Sequence, residues 1–521
     1  MEGKILFTTA RSFGVELVDD NADYRAESYD IYIDGVKRMT TEKTIESVYG
    51  LKPDTDYVVQ LARGTDFSEK ISVHTDYEFV TLNVKEFGAK GDGETNDTAA
   101  LQAAILSCPE HSRVYVPEGV YRFTHLFLKS HLKLELAEGA TLLAIPDKTL
   151  LPILPGRIES YDEIGEYLPG TWEGSPLDSF ASILTGMYIE DVVICGNGII
   201  DGNASFDNWW DKEKRKNDPA RPRMLFLNHC KNVTIQGVTI RNSPSWNLHP
   251  YFSENIRFLD IKLQSPFNSH NTDGIDPESC TDVEIAGVYF TVGDDCIAIK
   301  SGKMYMGKTY LTPSKNIVVR NCLMESGHGG VTIGSEIAAG VDNILVKNCF
   351  FLNTDRGLRV KTRRGRGKDS YLSGITFEKV VMDGVRSPFV INCFYYCGTD
   401  GKSEYVGTKE ALPVDDRTPR VGKIRIRNVE CRNCHVAGLY FYGLPESKIE
   451  CVEMTNVHIS YAEDAKPGRA AMMTGCETVS KKGIFVRNAD KVILRNVTLE
   501  GNEGEAVDLD GVEEWKWVAD F

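Results

Sequence analysis

From residue 191 onward, short runs of alternating β-branched residues recur, each opened by a small polar, glycine or lysine residue and closed by Asn or Gly. They stand at 191–194, 232–240, 255–258, 282–285, 316–322, 343–349, 374–377, 423–429 and 491–497. Adjacent copies are commonly about 23 to 34 residues apart, inside the range that marks stacked-repeat architectures. Period-two alternation over four or five residues reads as a strand, and each copy holds two or three of them separated by turns. Short strands, no regular helix within the repeat and one repeat per coil predict an all-β, right-handed parallel β-helix. A leucine-rich repeat would need a Leu frame that is absent, and a propeller would need four-strand blades. Cys322 and Cys349 fall where Val238 and Val429 fall in other copies, which predicts stacked interior residues rather than ligands. The period breaks near 146–180, 303–313 and 394–421. Insertions into a solenoid become loops on one face, commonly the binding face.

Upstream, residues 79–106 predict a strand, a Gly-rich loop and a helix opened by Asn96, Asp97 and Thr98. Ala99, Leu101, Ala103, Ala104 and Ile105 are its apolar positions, and the helix is expected to cap the open end of the strand stack. The loop lacks the Lys-Ser/Thr ending of a phosphate-binding loop. Residues 1–77 predict a small β-sandwich, because 29–36 alternates and then turns at Asp34-Gly35. Leu51, Pro53, Thr55 and Tyr57, followed by Val58-Val59-Gln60-Leu61, resemble the signature of fibronectin type III domains, in which the Tyr caps a corner. The expected division is therefore 1–77 and 78–521. A spacer, a substrate-orienting wall and a surface for forming a homo-oligomer are all open as roles of the first unit.

The chain has 521 residues, 42% of them apolar and 10% aromatic, which excludes disorder. A net charge of −16 argues against nucleic acid or an anionic membrane as partner, so a polyanionic ligand would need a local cationic patch. No apolar run is long enough to span a bilayer. The start is too short in apolar residues for an export signal, and thirteen cysteines form an odd, unclustered set, so a cytoplasmic location is expected, with secretion if a leader has been removed. Cys431, Cys434 and His435 have the spacing of a c-type haem attachment, but they sit in a repeat strand, and two buried thiols are expected.

Acidic residues crowd beyond the needs of the repeat on consecutive coils. Asn271-Thr272-Asp273-Gly274-Ile275-Asp276 comes first, then Gly293-Asp294-Asp295-Cys296, then Gly327-His328-Gly329, then Arg359-Val360-Lys361. With a coil step of about 4.8 Å, stacking places all four along one groove. These segments resemble those of glycoside hydrolase family 28, the polygalacturonases, whose fold is a right-handed parallel β-helix; Val360 stands where the family pattern has Ile. The resemblance covers roughly residues 80–500. Residues 221–224 and 242–250 look like the exo-acting bacterial branch, where a leading fibronectin-like module also occurs. The resemblance implies Asp294 as general acid, Asp273 and Asp295 as the bases that activate water with inversion, and His328 as a helper that hydrogen-bonds the acid or the substrate. It implies that Arg359 and Lys361 bind the uronate carboxylate. Asn271 and, by a looser match, Tyr395 join them on the substrate side. Trp246 and His249 are expected as a subsite wall or as core.

The residue types suit the chemistry. Glycoside hydrolysis needs one carboxylic acid to protonate the leaving oxygen and one carboxylate to handle water. Two nearby anions should raise the pKa of Asp294 and keep it protonated. Asp294 and Asp295 would point to opposite faces of a straight strand, so a distorted corner is expected at Gly293. Packing closer than the roughly 6.5–9.5 Å usual for an inverting pair is expected too. Arg359, Lys361, Arg363, Arg364, Arg366 and Lys368 form the cationic patch that a polyanion demands. The expected activity is exo-acting, inverting hydrolysis of α-1,4-galacturonan, releasing galacturonate from the non-reducing end of pectin-derived oligogalacturonides with no metal or cofactor. The alternatives are endo action, a rhamnogalacturonan or xylogalacturonan specificity, a Ca²⁺-dependent pectate lyase, for which no carboxylate cage stands out, and a non-catalytic glycan-binding β-helix.

Overall fold

The computed structural model describes residues 1–160 and 165–518; residues 161–164, inside the 146–180 break, and 519–521 lie outside the described residues. Three stacks of short parallel strands wind through most of the chain. The first passes through Glu190–Gly196, Lys231–Gln236, Glu254–Leu259, Thr281–Ala286, Ser314–Arg320 and Val341–Lys347. The second passes through Ile199–Asp201, Thr239–Arg241, Lys262–Gln264 and Tyr289–Thr291. The third passes through Leu225–Asn228, Leu248–Tyr251, Ile297–Ile299, Val331–Ile333, Arg356–Lys361 and Ser387–Asn392, with Ile275 bridging the second and third of these. The result is a right-handed parallel β-helix.

Its interior is built from columns of like residues. Val192, Val233, Ile256, Val283, Ile317 and Ile344 pair in register, coil upon coil, and all are buried. Cys322 and Cys349 are fully buried in the equivalent interior column. The polar residue that opens each run has a backbone reason. Asp191, Asn232, Asn255, Asp282, Asn316 and Asn343 all take positive φ, between 54° and 58°, which Asn and Asp tolerate better than other non-glycine residues. Their side chains then bond along the axis: Asn232 Nδ2 donates to Asp191 at 2.9 Å, Asn255 to Asn232 at 2.8 Å and Asn343 to Asn316 at 2.9 Å.

The helix Thr98–Ser107 lies at the N-terminal end of the coil with Leu101, Ala104 and Ile105 buried. Ala99 and Ala103, expected on that face, are exposed instead, because the helix turns only one narrow stripe toward the stack. Cys431 and Cys434 are fully buried, as two interior thiols, and all thirteen cysteines are free.

Ahead of the coil, Glu2–Thr8, Ser12–Val18 and Ile45–Tyr49 form one antiparallel sheet, and Val36–Lys43, Arg25–Ile33 and Asp56–Arg63 form the centre of a second. Tyr57 Oη accepts the Lys52 N–H at 2.8 Å across the corner between them. The two sheets dock on the turns of successive coils. Lys43 Nζ pairs with Asp260 Oδ1 at 2.6 Å, the Ser47 N–H donates to Asp260 Oδ2 at 2.9 Å, Arg320 donates to Glu16 at 2.7 Å, and Asn348 Nδ2 to the Ala22 carbonyl at 3.1 Å. Gly237, at φ 78°, sits where any Cβ would strike the Tyr49 hydroxyl.

Ile317 tests the interior column. Replacing it with Ala leaves a cavity between Val283 and Ile344, and urea denaturation should show a loss of about 2–5 kcal/mol.

Candidate active site

The site is assembled at the entrance to the third stack. Leu248, Ile275, Ile297 and Val331 pair in register, so the residues just ahead of them fall on one column. Backbone bonds fix the rungs: the Asn247 N–H donates to the Asp273 carbonyl (2.8 Å), Gly274 to Asp295 (3.0 Å), His328 to Asp294 (2.9 Å) and Cys296 to Gly329 (2.8 Å). Asp273 and Asp295 thus lie on adjacent rungs, and one carboxylate oxygen from each of Asp273, Asp294 and Asp295 lies within 4.8 Å of the others. This is the close packing expected of the cluster.

Both Asp294 and Asp295 reach the same cavity because the chain bends between Tyr289–Thr291 and Ile297–Ile299. Gly293 makes the bend possible, since a Cβ there would run into the Ser269 carbonyl oxygen. The glycines on either side of His328 pack against the aspartate corner. A Cβ on Gly329 would stand 2.7 Å from Asp295 Oδ1, and one on Gly327 would stand 2.7 Å from Cys296 Sγ. They clear room for the aspartate corner itself.

Electrostatics separate the three carboxyls. Burial pushes Asp295 up, but Lys361 (Nζ to Oδ2, 2.8 Å) and Arg359 (Nη1 to Oδ1, 3.0 Å) outweigh it and hold this carboxyl well below the usual range. Burial, with Asp294 and Asp276 adding to it, drives Asp273 well above the usual range. Asp273 and Asp295, both expected as bases, therefore sit in opposite electrostatic surroundings. Asp294 opens on the cavity with its side chain 24% exposed, 3.4 Å from His328 Nδ1. The hydrogen bond to Asp294 raises the His328 pKa against the effect of burial. The spacing of the three carboxylates suits a cation, but Arg359 and Lys361 already neutralise Asp295, and we assign no metal.

Arg359 and Lys361 both pair with Asp295, and Lys361 also lines the cavity. One binding assignment changes. His249 is fully buried, with Nε2 3.0 Å from Glu278 Oε2, and lines no cavity wall. Trp246 does line the cavity, but one ring face stacks on Trp172 at 5.2 Å and Lys300 Nζ lies 4.4 Å from the ring centroid. Asn271 and Tyr395 line the cavity, Asn271 with its Oδ1 accepting from Arg221 at 2.7 Å.

Lys300, Asp276, Glu278 and Arg223 form a buried charged layer beneath the cluster; Asp276 and Arg223 stand in segments the sequence singled out, Lys300 and Glu278 outside them. Lys300 Nζ binds Asp276 Oδ1 at 2.6 Å and lies 3.9 Å from Asp273 Oδ2, and these acids keep it charged despite burial. The signal available was a lone lysine directly after the buried run Ile297-Ala298-Ile299.

The cavity encloses about 460 Å³. All three breaks in the repeat contribute to its wall: Glu173 from the first, Lys303 and Met304 from the second, Cys397 to Asp400 from the third. The first two are tied together, the Lys303 N–H donating to the Gly174 carbonyl at 2.8 Å and Tyr305 Oη to Glu166 at 2.6 Å. Among the described residues, none from 1–77 lines this cavity, so the leading sandwich is not its wall.

A β-helix with three clustered aspartates in a polar cavity fits a carbohydrate-cleaving class of protein. Comparison with known proteins gives the family. Residues 171–482 match the model of glycosyl hydrolases family 28, and 81–134 match that of rhamnogalacturonase A/epimerase, pectate lyase-like. A probable polygalacturonase of Vitis vinifera is 32% identical over 397 residues, 74% of this chain and 75% of that protein. An exo-poly-alpha-D-galacturonosidase of Dickeya chrysanthemi is 28% identical, over 70% of this chain and 66% of that one. Among solved structures, the family 28 exopolygalacturonase of Yersinia enterocolitica superposes with a TM-score of 0.71 over 98% of this chain and 97% of its own, at 20% identity. The exopolygalacturonase of Thermotoga maritima gives 0.65 over 82% and 94%, at 26% identity. The chain belongs to glycosyl hydrolase family 28.

Two variants probe this geometry. Gly293→Ala should keep the far-ultraviolet spectrum of the wild type while lowering glycosidase kcat at least about 100-fold, because the shifted corner misplaces both aspartates. Glu278→Gln tests the buried layer. Burial raises the Glu278 carboxyl to about 8, whereas in the unfolded chain it titrates near pH 4.3. The folded protein therefore holds a proton that the unfolded chain releases, and its stability falls as pH rises between those values. The Gln variant should gain about 1–3 kcal/mol relative to wild type between pH 5 and 8, read as diverging urea midpoints.

Proposed function

We propose that the protein is an exo-acting polygalacturonase that removes galacturonate from the non-reducing end of α-1,4-linked oligogalacturonides with inversion. The observation that carries this reading is the cavity wall: residues from three insertions line it beside the aspartate cluster, as a pocket that takes a chain end would need, where an endo enzyme needs a groove open at both ends. The names of the Dickeya and Thermotoga proteins support it. Relatives named endo-polygalacturonase also align, at 30% identity over 59% of this chain, and they make endo action the second reading.

In the reaction, Asp294 as general acid gives a proton to the glycosidic oxygen, and the C–O bond breaks. Asp295, kept anionic by Arg359 and Lys361, takes a proton from the water that attacks the anomeric carbon on the opposite face. His328 holds Asp294 in place. The proton accepted by Asp295 leaves to solvent through the cavity, and Asp294 takes a proton back from solvent.

Product analysis on tri- and tetragalacturonate tests the reading. Monomer alone from the earliest times, released as the inverted anomer by NMR, is expected; dimers and trimers from longer chains would establish endo action. Asp294→Asn should lower kcat by about 10²–10⁴. Unchanged turnover would remove Asp294 from the reaction.

A further inference from the structure

Arg221 ties together three rungs of the coil that carries the aspartates. Leu225, Leu248 and Ile275 pair in register, and Arg221, Pro244 and Asn271 each stand four residues ahead of them. Arg221 Nη1 donates to the Pro244 carbonyl on the next rung and to the His270 carbonyl on the one after, both at 2.8 Å, and Nη2 donates to Asn271 Oδ1 at 2.7 Å. The guanidinium carbon lies 5.7 Å from the centroid of the Trp172 ring, and the residue is only 4% exposed. Two of its three acceptors are backbone carbonyls held by the coil. The third is a side chain that could otherwise turn.

That third contact fixes more than a position. A carboxamide is planar and two-sided: its oxygen accepts and its nitrogen donates. A guanidinium only donates, so Oδ1 must face Arg221 and Nδ2 must be turned away from it. Asn271 lines both the aspartate cavity and an adjoining one, whereas Arg221 lines only the adjoining one. Among the described residues Nδ2 makes no hydrogen bond to protein. Asn271 is half-buried, holds φ at 54° and stands two residues ahead of Asp273, so its amide sits beside the reacting groups.

We propose that Arg221 is a positioning residue: by holding Oδ1 of Asn271 it turns Nδ2 into the aspartate cavity, where the amide donates to an oxygen of the bound sugar. The proposal rests on the reading that a sugar occupies this cavity, but not on exo action, so the measurement is loss of tetragalacturonate by whatever cleavage. Arg221→Met, Asn271→Ala, Asn271→Asp and the double variant Arg221→Met/Asn271→Ala are compared with the wild type. Arg221→Met and Asn271→Ala should each lose roughly 3- to 10-fold in kcat/KM, the size of one neutral hydrogen bond. The loss should fall in KM, with kcat within about twofold of wild type, as for a contact made alike in the ground and transition states. The double variant should lose no more than Asn271→Ala alone, because Arg221 acts through that amide. Asn271→Asp separates holding from donating. Its carboxylate keeps the bond to Arg221 but has no proton to give. Its urea midpoint should match or exceed the wild type while kcat/KM falls at least as far as in Asn271→Ala. Losses that multiply in the double variant overturn the proposal, and so does full activity in Asn271→Asp, which decides even if Arg221→Met does not fold. A chain that cleaves no galacturonan defeats the proposed activity. Calorimetric binding of trigalacturonate then judges this proposal, and equal affinity in wild type and Asn271→Asp, none included, overturns it.

Discussion

The site depends on one constraint: four consecutive coils share a single register. Because Leu248, Ile275, Ile297 and Val331 pair without slippage, Asp273 and Asp295 stand one strand spacing apart, and Gly329 stands on the rung beyond. A slip of one residue on any coil would turn its aspartate to the opposite face. The interior column of Val and Ile residues therefore does more than stabilise the fold. It sets the distance between charged groups in the cavity.

That distance is electrostatically costly, and the chain meets the cost in layers. Asp295 is held by two cations from a strand two coils away, and Lys300 lies under Asp273 with Asp276 as its main partner. Buried ion pairs of this kind contribute little net stability, because desolvation offsets most of the attraction. Their effect is to push the proton affinities of Asp273 and Asp295 in opposite directions within one small volume. One is fixed as an anion, one is driven toward its protonated form, and the member between them opens on the cavity.

Much of this was legible in the chain. The repeat, its columns, the three insertions and the four motif segments follow from period-two alternation and from acids in excess of what a turn needs. The motif segments named the right rungs but not all the partners. Arg359 and Lys361 read as cations for a substrate, and sequence does not show that both also pair with Asp295. His249 read as a possible wall because nothing in the sequence announces that Glu278 lies beside it on the next coil. Lys300 went unread because a buried lysine looks like any other residue at the end of an apolar run. In each case the missing information was a contact between residues more than twenty positions apart.

The leading sandwich has a mechanical consequence. In a solenoid each coil touches only its neighbours, so separate stretches can loosen independently. Here one small unit grips the turns at Gly237, Asp260, Arg320 and Asn348 at once. It acts as a splint laid across the middle of the spiral, so the rungs that carry the aspartates cannot fray one at a time.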